Sequence, residues 1–332
     1  MIEIIFTSGL ASIQDSGRHN HLRYGVGTAG AMDQVALAVG NILLGNSENA
    51  ASIEIPMFPF QLRFLEDTCF SLTGADAGAE LDGQSIPPYW VRHAKKDQEL
   101  TLFAPRHGAR VYLGLAGGVN VPLVLGSRST QLRGEFGGHH GRPLRQGDVI
   151  TAGALTEPGG DRPGSSAMEL GAEPPEYALP LGDESGAGLS FVRVLPAAEY
   201  DYYERPAIDA FWTANWKITA QSDRYGYRLA GPVLNPTQPL ELRSHGIVPG
   251  VIQVPHNGQP IIQLRDAQPS GGYPKIGTVI EADLWRLAQA RPGTQLRFVR
   301  TSYDEARLAL LAVRDYLGKL RQLTALCRLS QS

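Results

Sequence analysis

YGVGTAGAMDQVALAVGNILLG, residues 24–45, sets Gly25, Gly27 and Gly30 at G-x-G-x-x-G spacing ahead of an amphipathic helix. Whether it opens a dinucleotide-binding unit decides between an α/β sheet and a β-rich fold. A glycine turn at a helix N-terminus suits a pyrophosphate, because open backbone N–H groups and the helix dipole both favour an anion. That chemistry also requires a buried strand directly before the first glycine. Here the preceding residues are Arg18-His-Asn-His-Leu-Arg-Tyr24, a polar loop. Glu54, at a ribose-binding distance downstream, sits between Ile53 and Ile55 inside an alternating strand rather than at its end. The spacing is therefore read as coincidence. The helix, capped at Asp33 and stopped at Gly45, keeps only a general capacity to offer its N-terminus to a carboxylate or phosphate.

Working outward, 38 glycines and 23 prolines in 332 residues point to a turn-rich fold of many short strands. A 42% apolar and 19% charged composition excludes wholesale disorder. The net charge of −3 and the lack of a basic run argue against a nucleic-acid partner. Cys69 and Cys327 are far apart and outside any C-x-x-C pattern, so reduced thiols and no metal site are expected. The acidic residue at position 3 does not suit a signal peptide, and the apolar run 111–125 is broken by glycines, Asn120 and Pro122. A cytoplasmic protein without a membrane anchor is expected.

Short apolar runs at 60–64, 68–72, 99–103 and 110–115 are separated by turn clusters, as in an antiparallel barrel or sandwich. The same texture returns at 191–195, 216–220, 251–254 and 261–264, the last two flanking an Asn257-Gly258 hairpin signal. Between them, residues 151–188 are rich in Gly, Pro and acids, carrying −6 of the chain's charge and leaving +3 elsewhere. The expected division is an N-terminal β-barrel over 1–150, a linker over 151–188, and a C-terminal barrel with a terminal helix over 189–332. Ser52-Ile-Glu-Ile and Pro239-Leu-Glu-Leu, each followed by a similar strand order, suggest a duplication. Helices are expected from Asp33, over 282–290, and after the capping box Ser302-x-x-Glu305.

No P-loop and no G-x-S-x-G elbow occurs. His139 and His140 are adjacent, so on an extended chain they face opposite ways and do not make a metal pair. What recurs is small residues beside cations: Gly17-Arg18, Gly126-Ser-Arg128, Gly137-Gly-His-His-Gly-Arg142, Asp223-Arg224 with Arg228, and Ser270-Gly-Gly-Tyr-Pro-Lys275. Amide donors beside guanidinium or ammonium groups fit a carboxylate or phosphate. The competing reading is that the glycines serve turns and Arg–Asp pairs brace a barrel.

Gln14-Asp-Ser-Gly-Arg18, Gly30-Ala-Met-Asp33, Ala38-x-x-Asn41-x-Leu-x-Gly-Asn46, Gly126-Ser-Arg-Ser-Thr130 and Phe136-Gly-Gly-x-x-Gly-Arg142 then follow in order. Ser222-Asp-Arg-x-Gly-Tyr-Arg-Leu229, Gly250-x-Ile-Gln-Val-Pro255 and Gly271-Gly-Tyr-Pro-Lys-Ile276 continue the series. Together they resemble the KipA family, also called allophanate hydrolase subunit 2 or the carboxyltransferase A/B-type domain, which includes PxpC, a component of the prokaryotic ATP-dependent 5-oxoprolinase. The resemblance implies a mainly β protein of two cyclophilin-like β-barrels. It also implies a KipI-type (PxpB) partner, in one branch a LamB/YcsF-type (PxpA) partner too, and ATP-driven opening of 5-oxoproline or a related small amide.

The chain departs from that pattern at Asn20, at Pro56-Met-Phe-Pro59 and at Asp266-Ala-Gln-Pro-Ser270, which leaves the substrate open. Under this reading Asp15, Asp33, Asp223 and Lys275 are the catalytic candidates. Arg18, Arg128, Ser129, Arg142, Arg224, Arg228, Gln253, Gly271, Gly272 and Tyr273 are the substrate- or anion-binding candidates. A biotin-dependent carboxyltransferase is the alternative. It would need a separate biotin carrier, since no Met-Lys-Met is present. A non-catalytic KipI-binding regulator is the third reading.

Overall fold

Asp33 and Gly45 bound the first helix as their chemistry requires. The Asp33 carboxylate accepts from the Ala36 amide at 2.8 Å, and Gly45 ends α1 (Gln34–Leu44) at a positive φ of 73°. No strand leads directly into Gly25; a 3-10 turn at Leu22–Tyr24, closed by Gly25 at φ 79°, stands there instead. The computed structural model describes residues 1–154, 169–181, 189–238 and 242–329. Pro239, Leu240 and Glu241 of Pro239-Leu-Glu-Leu, and most of the expected acidic linker, fall outside the described residues. Contacts divide the chain into two units: residues 1–18, 29–178 and 314–332 form unit 1, and residues 19–28 and 179–313 form unit 2.

Unit 1 contains β1 (Ile2–Thr7), β2 (Ser12–Gln14), β3 (Ser52–Ile55), β4 (Phe60–Phe64), β5 (Thr68–Asp76), β6 (Ala79–Leu81), β7 (Gln84–Ile86), β8 (Trp90–Ala94), β9 (Glu99–Leu102), β10 (His107–Leu115) and β11 (Val149–Ile150). They lie in two sheets, ordered β11-β1-β4-β9-β6-β7 and β2-β3-β10-β5-β8, with antiparallel pairing throughout. Alternation puts one face of each strand inward, as in β4, where Phe60, Leu62 and Phe64 are buried. Those side chains, with Ile2 and Ile4 from the same sheet and Ile53, Phe70, Leu72 and Leu113 from the other, make one apolar core. A short α2 (Pro175–Ala178) follows.

Unit 2 is a closed barrel of seven strands in the order β12-β19-β16-β17-β14-β13-β20. Its strands are β12 (Leu189–Pro196), β13 (Trp216–Ile218), β14 (Gly226–Ala230), β16 (Val251–Gln253), β17 (Ile261–Gln263), β19 (Lys275–Val279) and β20 (Gln295–Arg300), while β15 (His245–Gly246) and β18 (Ser270–Gly271) form a separate ribbon. The expected hairpin pairs Ile252 with Ile262, and Gly258, at φ 70°, supplies its left-handed residue. Closure comes from β12 running parallel to β20, Leu189 opposite Gln295. α3 (Arg205–Thr213), unmarked by the apolar periodicity, begins with a proline in its first turn and packs Phe211 on Phe298 at 4.8 Å.

α4 (Leu284–Gln289) is preceded by a 3-10 turn, so the helix expected over 282–290 is shorter and split. α5 (Tyr303–Leu329) opens with the expected capping box: Glu305 Oε2 accepts from the Ser302 amide at 2.7 Å, and Ser302 Oγ accepts from the Glu305 amide at 3.3 Å. The protein is mainly β with few helices. Among the described residues, no helix is long and apolar enough to cross a membrane.

Candidate functional site

β2 delivers Asp15 into the interior of unit 1, where its carboxylate meets donors from a distant loop. Oδ1 accepts from the Gly17 amide at 2.8 Å, Ser127 Oγ at 2.7 Å and Ser129 Oγ at 2.5 Å, and Oδ2 accepts from the Arg128 amide at 2.5 Å. The Ser129 hydroxyl oxygen in turn accepts from the Asp15 amide at 3.0 Å. A carboxylate serving four donors in a buried setting fixes the two segments it joins. Arg18, also buried, donates to the Ser129 carbonyl at 2.6 Å and lies over the Phe136 ring at 4.7 Å. Gly137, at φ 72°, leaves no room for a Cβ, which would run into the Ser129 carbonyl and the Arg18 guanidinium. Arg128 is half-buried, and its shielded Nε meets no acceptor among the described residues.

The same close packing accounts for one glycine of the opening motif. A Cβ on Gly30 would lie 2.9 Å from the Gly17 backbone, so this glycine permits chain-on-chain contact inside unit 1. The helix N-terminus beyond it is filled by the chain's own groups. Besides the Asp33 cap, buried Glu54 accepts from the Met32 amide and from the Tyr112 hydroxyl, each at 2.8 Å, and the Tyr112 oxygen accepts from the Asp33 amide at 2.8 Å. Burial, reinforced by Glu54 and Asp33, pushes the Tyr112 phenol well up, so it stays a proton donor. The end expected to receive an external carboxylate or phosphate thus already holds internal ones.

Arg142 grips Asp148 with both guanidinium nitrogens, at 2.7 and 2.8 Å. That contact, with help from the Arg145 amide, lowers the Asp148 carboxyl to about 2. His139 Nε2 stands 3.4 Å from the same carboxylate, yet burial moves the imidazole below its ordinary value. Beside this pair unit 1 has a cavity of about 430 Å³, with Pro122, Phe136, His139, His140, Ile150 and Thr151 among its walls and no lysine or arginine in its lining. Among the described residues, no cluster of three His, Cys, Asp or Glu side chains is placed to hold a metal ion.

In unit 2 the candidates fall into two groups. Lys275 and Gln253 face each other across β16 and β19 beside an irregularity in register, and buried Gln253 reaches the Tyr273 carbonyl at 3.4 Å. Gly271 is packed so tightly that a Cβ would come within 2.7 Å of the Gln253 side chain, and one on Gly272 within 3.0 Å of the Leu242 carbonyl. Lys275 Nζ lies 3.0 Å from Glu199 and also contacts His245 Nε2, while His245 Nδ1 sits 2.8 Å from the Arg243 carbonyl. The Tyr273 ring is half-exposed against His256.

The second group is built around β14. Arg224 holds buried Asp266 at 2.9 and 3.0 Å, and the Asp266 amide returns a bond to the Arg224 carbonyl at 2.9 Å. Asp223 caps the turn through the Tyr225 and Gly226 amides, and the Arg228 side chain is exposed. Sequence reasoning did not include Glu199, His245, Ser127 or Asp148 as partners. Their signal is spatial only, except that Gly147-Asp148 follows Arg142 closely enough for a local pair.

The fold and these loops belong together in known proteins. Residues 24–300 match the family model "Carboxyltransferase domain, subdomain A and B", so the chain belongs to the carboxyltransferase-domain family. It is 40% identical to the 5-oxoprolinase C-type subunit of Escherichia coli over 96% of this chain and 97% of that one. Identity to the corresponding 5-oxoprolinase subunit of Haemophilus influenzae is 39%, over 97% and 98% of the two chains. Among solved structures, K. lactis urea amidolyase superposes with a TM-score of 0.85 at 27% identity. It covers 96% of this chain, which spans only 20% of the amidolyase.

Proposed function

We propose that this chain is one subunit of a 5-oxoprolinase-type complex that couples ATP hydrolysis to opening of 5-oxoproline, or a related lactam, to glutamate. The observation that carries the reading is the end-to-end correspondence with the Escherichia coli 5-oxoprolinase subunit at 40% identity. A lactam is a poor electrophile, and phosphorylating its oxygen activates the ring carbon: water adds there, the C–N bond breaks to free the amine and leave an acyl phosphate, and a second water releases phosphate to give glutamate. On this reading Lys275, in the barrel of unit 2, is the cation that meets the substrate's carboxylate or the transferred phosphoryl group. ATP is assigned to the assembled complex, since this chain has no P-loop. The partners are a KipI-type and a LamB/YcsF-type subunit.

Co-expression with those subunits, followed by an assay for ATP-dependent glutamate release, tests the reading. Absence of turnover by an intact purified complex would falsify it. The likeness to urea amidolyase favours a second reading, biotin-dependent carboxyl transfer. Activity that depends on an added biotin carrier would establish that reading instead.

A further inference from the structure

α5 has an inner and an outer face. On the inner side Ala306, Ala309, Leu310 and Val313 pack with Leu195, Ile280 and Ala282 in unit 2, and further along Leu320 and Thr324 are buried and Arg328 donates to the Leu43 carbonyl at 2.7 Å in unit 1. On the outer side Leu308, Leu311, Leu323, Leu326 and Leu329 are 58, 39, 61, 63 and 71% exposed. A surface helix ordinarily carries polar residues there.

The outer residues Leu308, Ala312, Asp315, Lys319, Gln322, Leu326 and Leu329 are separated alternately by four and three positions, and all are exposed. The spacing is that of a two-stranded coiled-coil seam over about three heptads, with Leu or Ala at its ends and Asp315, Lys319 and Gln322 at its centre. The seam is also complementary to its own reverse. Turned end over end about its middle, it brings Leu308 to the level of Leu326, Ala312 to Gln322, and Asp315 to Lys319.

We propose that this face of α5 is the interface between two copies of the chain, packed antiparallel about a two-fold axis. Leu308 meets Leu326 of the partner subunit, and Asp315 meets Lys319 of the partner subunit, each contact occurring twice by symmetry. A parallel pair in the same register would set aspartate against aspartate and lysine against lysine, so the charges select the antiparallel arrangement. The short seam and its polar centre make the association concentration-dependent.

Sedimentation velocity on the full chain over a concentration series tests this, with circular dichroism as the check that α5 is intact. The wild type shows a monomer–dimer equilibrium. Asp315→Lys and Lys319→Asp each weaken the dimer about tenfold or more through like-charge contact, and the double variant, which recreates both pairs, returns to within about threefold of wild type. Leu326→Glu abolishes the dimer. An Ala312→Cys/Gln322→Cys variant, with exposed Cys327 replaced by serine, forms a disulfide-linked dimer on oxidation. A chain that stays monomeric at every concentration, or a double variant as weak as the singles, overturns the proposal. So does a face that Leu326→Glu disables only for binding a KipI-type subunit.

Discussion

In unit 1 a buried carboxylate gathers neutral donors, the amides of Gly17 and Arg128 and the hydroxyls of Ser127 and Ser129, whereas in unit 2 the carboxylates face cations, Asp266 on Arg224 and Glu199 on Lys275. The first arrangement fixes backbone: Asp15 ties the 127–129 loop to Gly17, and Ser129 accepts from Arg18. The second fixes side chains and sets charge. An anion arriving at Lys275 competes with Glu199, so its binding depends on displacing an internal carboxylate. Unit 1 also contains ion pairs: Asp148 with Arg142 nearer the surface, and buried Glu54 with Arg110 at 3.8 Å.

The contrast can be broken most directly in the barrel. Arg224→Ala strands buried Asp266 and is expected to cost about 3–5 kcal/mol in urea unfolding followed by tryptophan fluorescence. A loss no greater than that of an exposed arginine would mean the pair does not brace unit 2. Asp15→Asn keeps the shape and one accepting oxygen but sets an NH2 against the Arg128 amide and removes the charge, and an expected loss of about 2–3 kcal/mol would show that neutral donors hold nearly as firmly. Gly137→Ala forces a Cβ against the Ser129 carbonyl at positive φ, with about 1–3 kcal/mol lost and faster proteolysis of the 124–142 loops.

Acid titration sharpens the comparison further. Because the folded Asp148 carboxyl sits at about 2, below its ordinary 3.8, its contribution is complete above pH 4 and is lost as pH falls through 2. The expected size is about 1 kcal/mol, reduced by solvent near the surface, and it should vanish from the pH profile of Asp148→Asn. Smallest of all, Arg228→Ala should leave stability within about 0.5 kcal/mol, its side chain being exposed; any loss of activity in the assembled complex would then report on binding alone.

Local chemistry was legible and distant pairing was not. Asp33 and Gly45 delimit α1 because capping and left-handed termination involve residues within one turn, and Ser302 with Glu305 marks the start of α5 for the same reason. The apolar run at 60–64 marked the strand that became β4. In contrast α3 hid behind the aromatic run that precedes it, with only Pro206 as a start signal. Of the Asn257-Gly258 turn, only the glycine takes positive φ. The Asp15 site was visible as two separate Ser- and Gly-rich motifs, but the bonds from Thr130 to the Ile13 carbonyl that join them cross more than a hundred residues, which no local pattern encodes. Lys275 was visible as a cation beside glycines; Glu199 and His245, its neighbours, lie far off in the chain.

The parallel contact between β12 and β20 also orders events at the ribosome. The strand that opens the barrel of unit 2 is synthesised first, yet it acquires this neighbour only when Gln295–Arg300 has emerged. Until then β12 and β13 each keep an uncovered edge, the kind of surface on which nascent chains associate with one another. A message truncated before codon 295 would therefore yield an aggregating product rather than a smaller barrel.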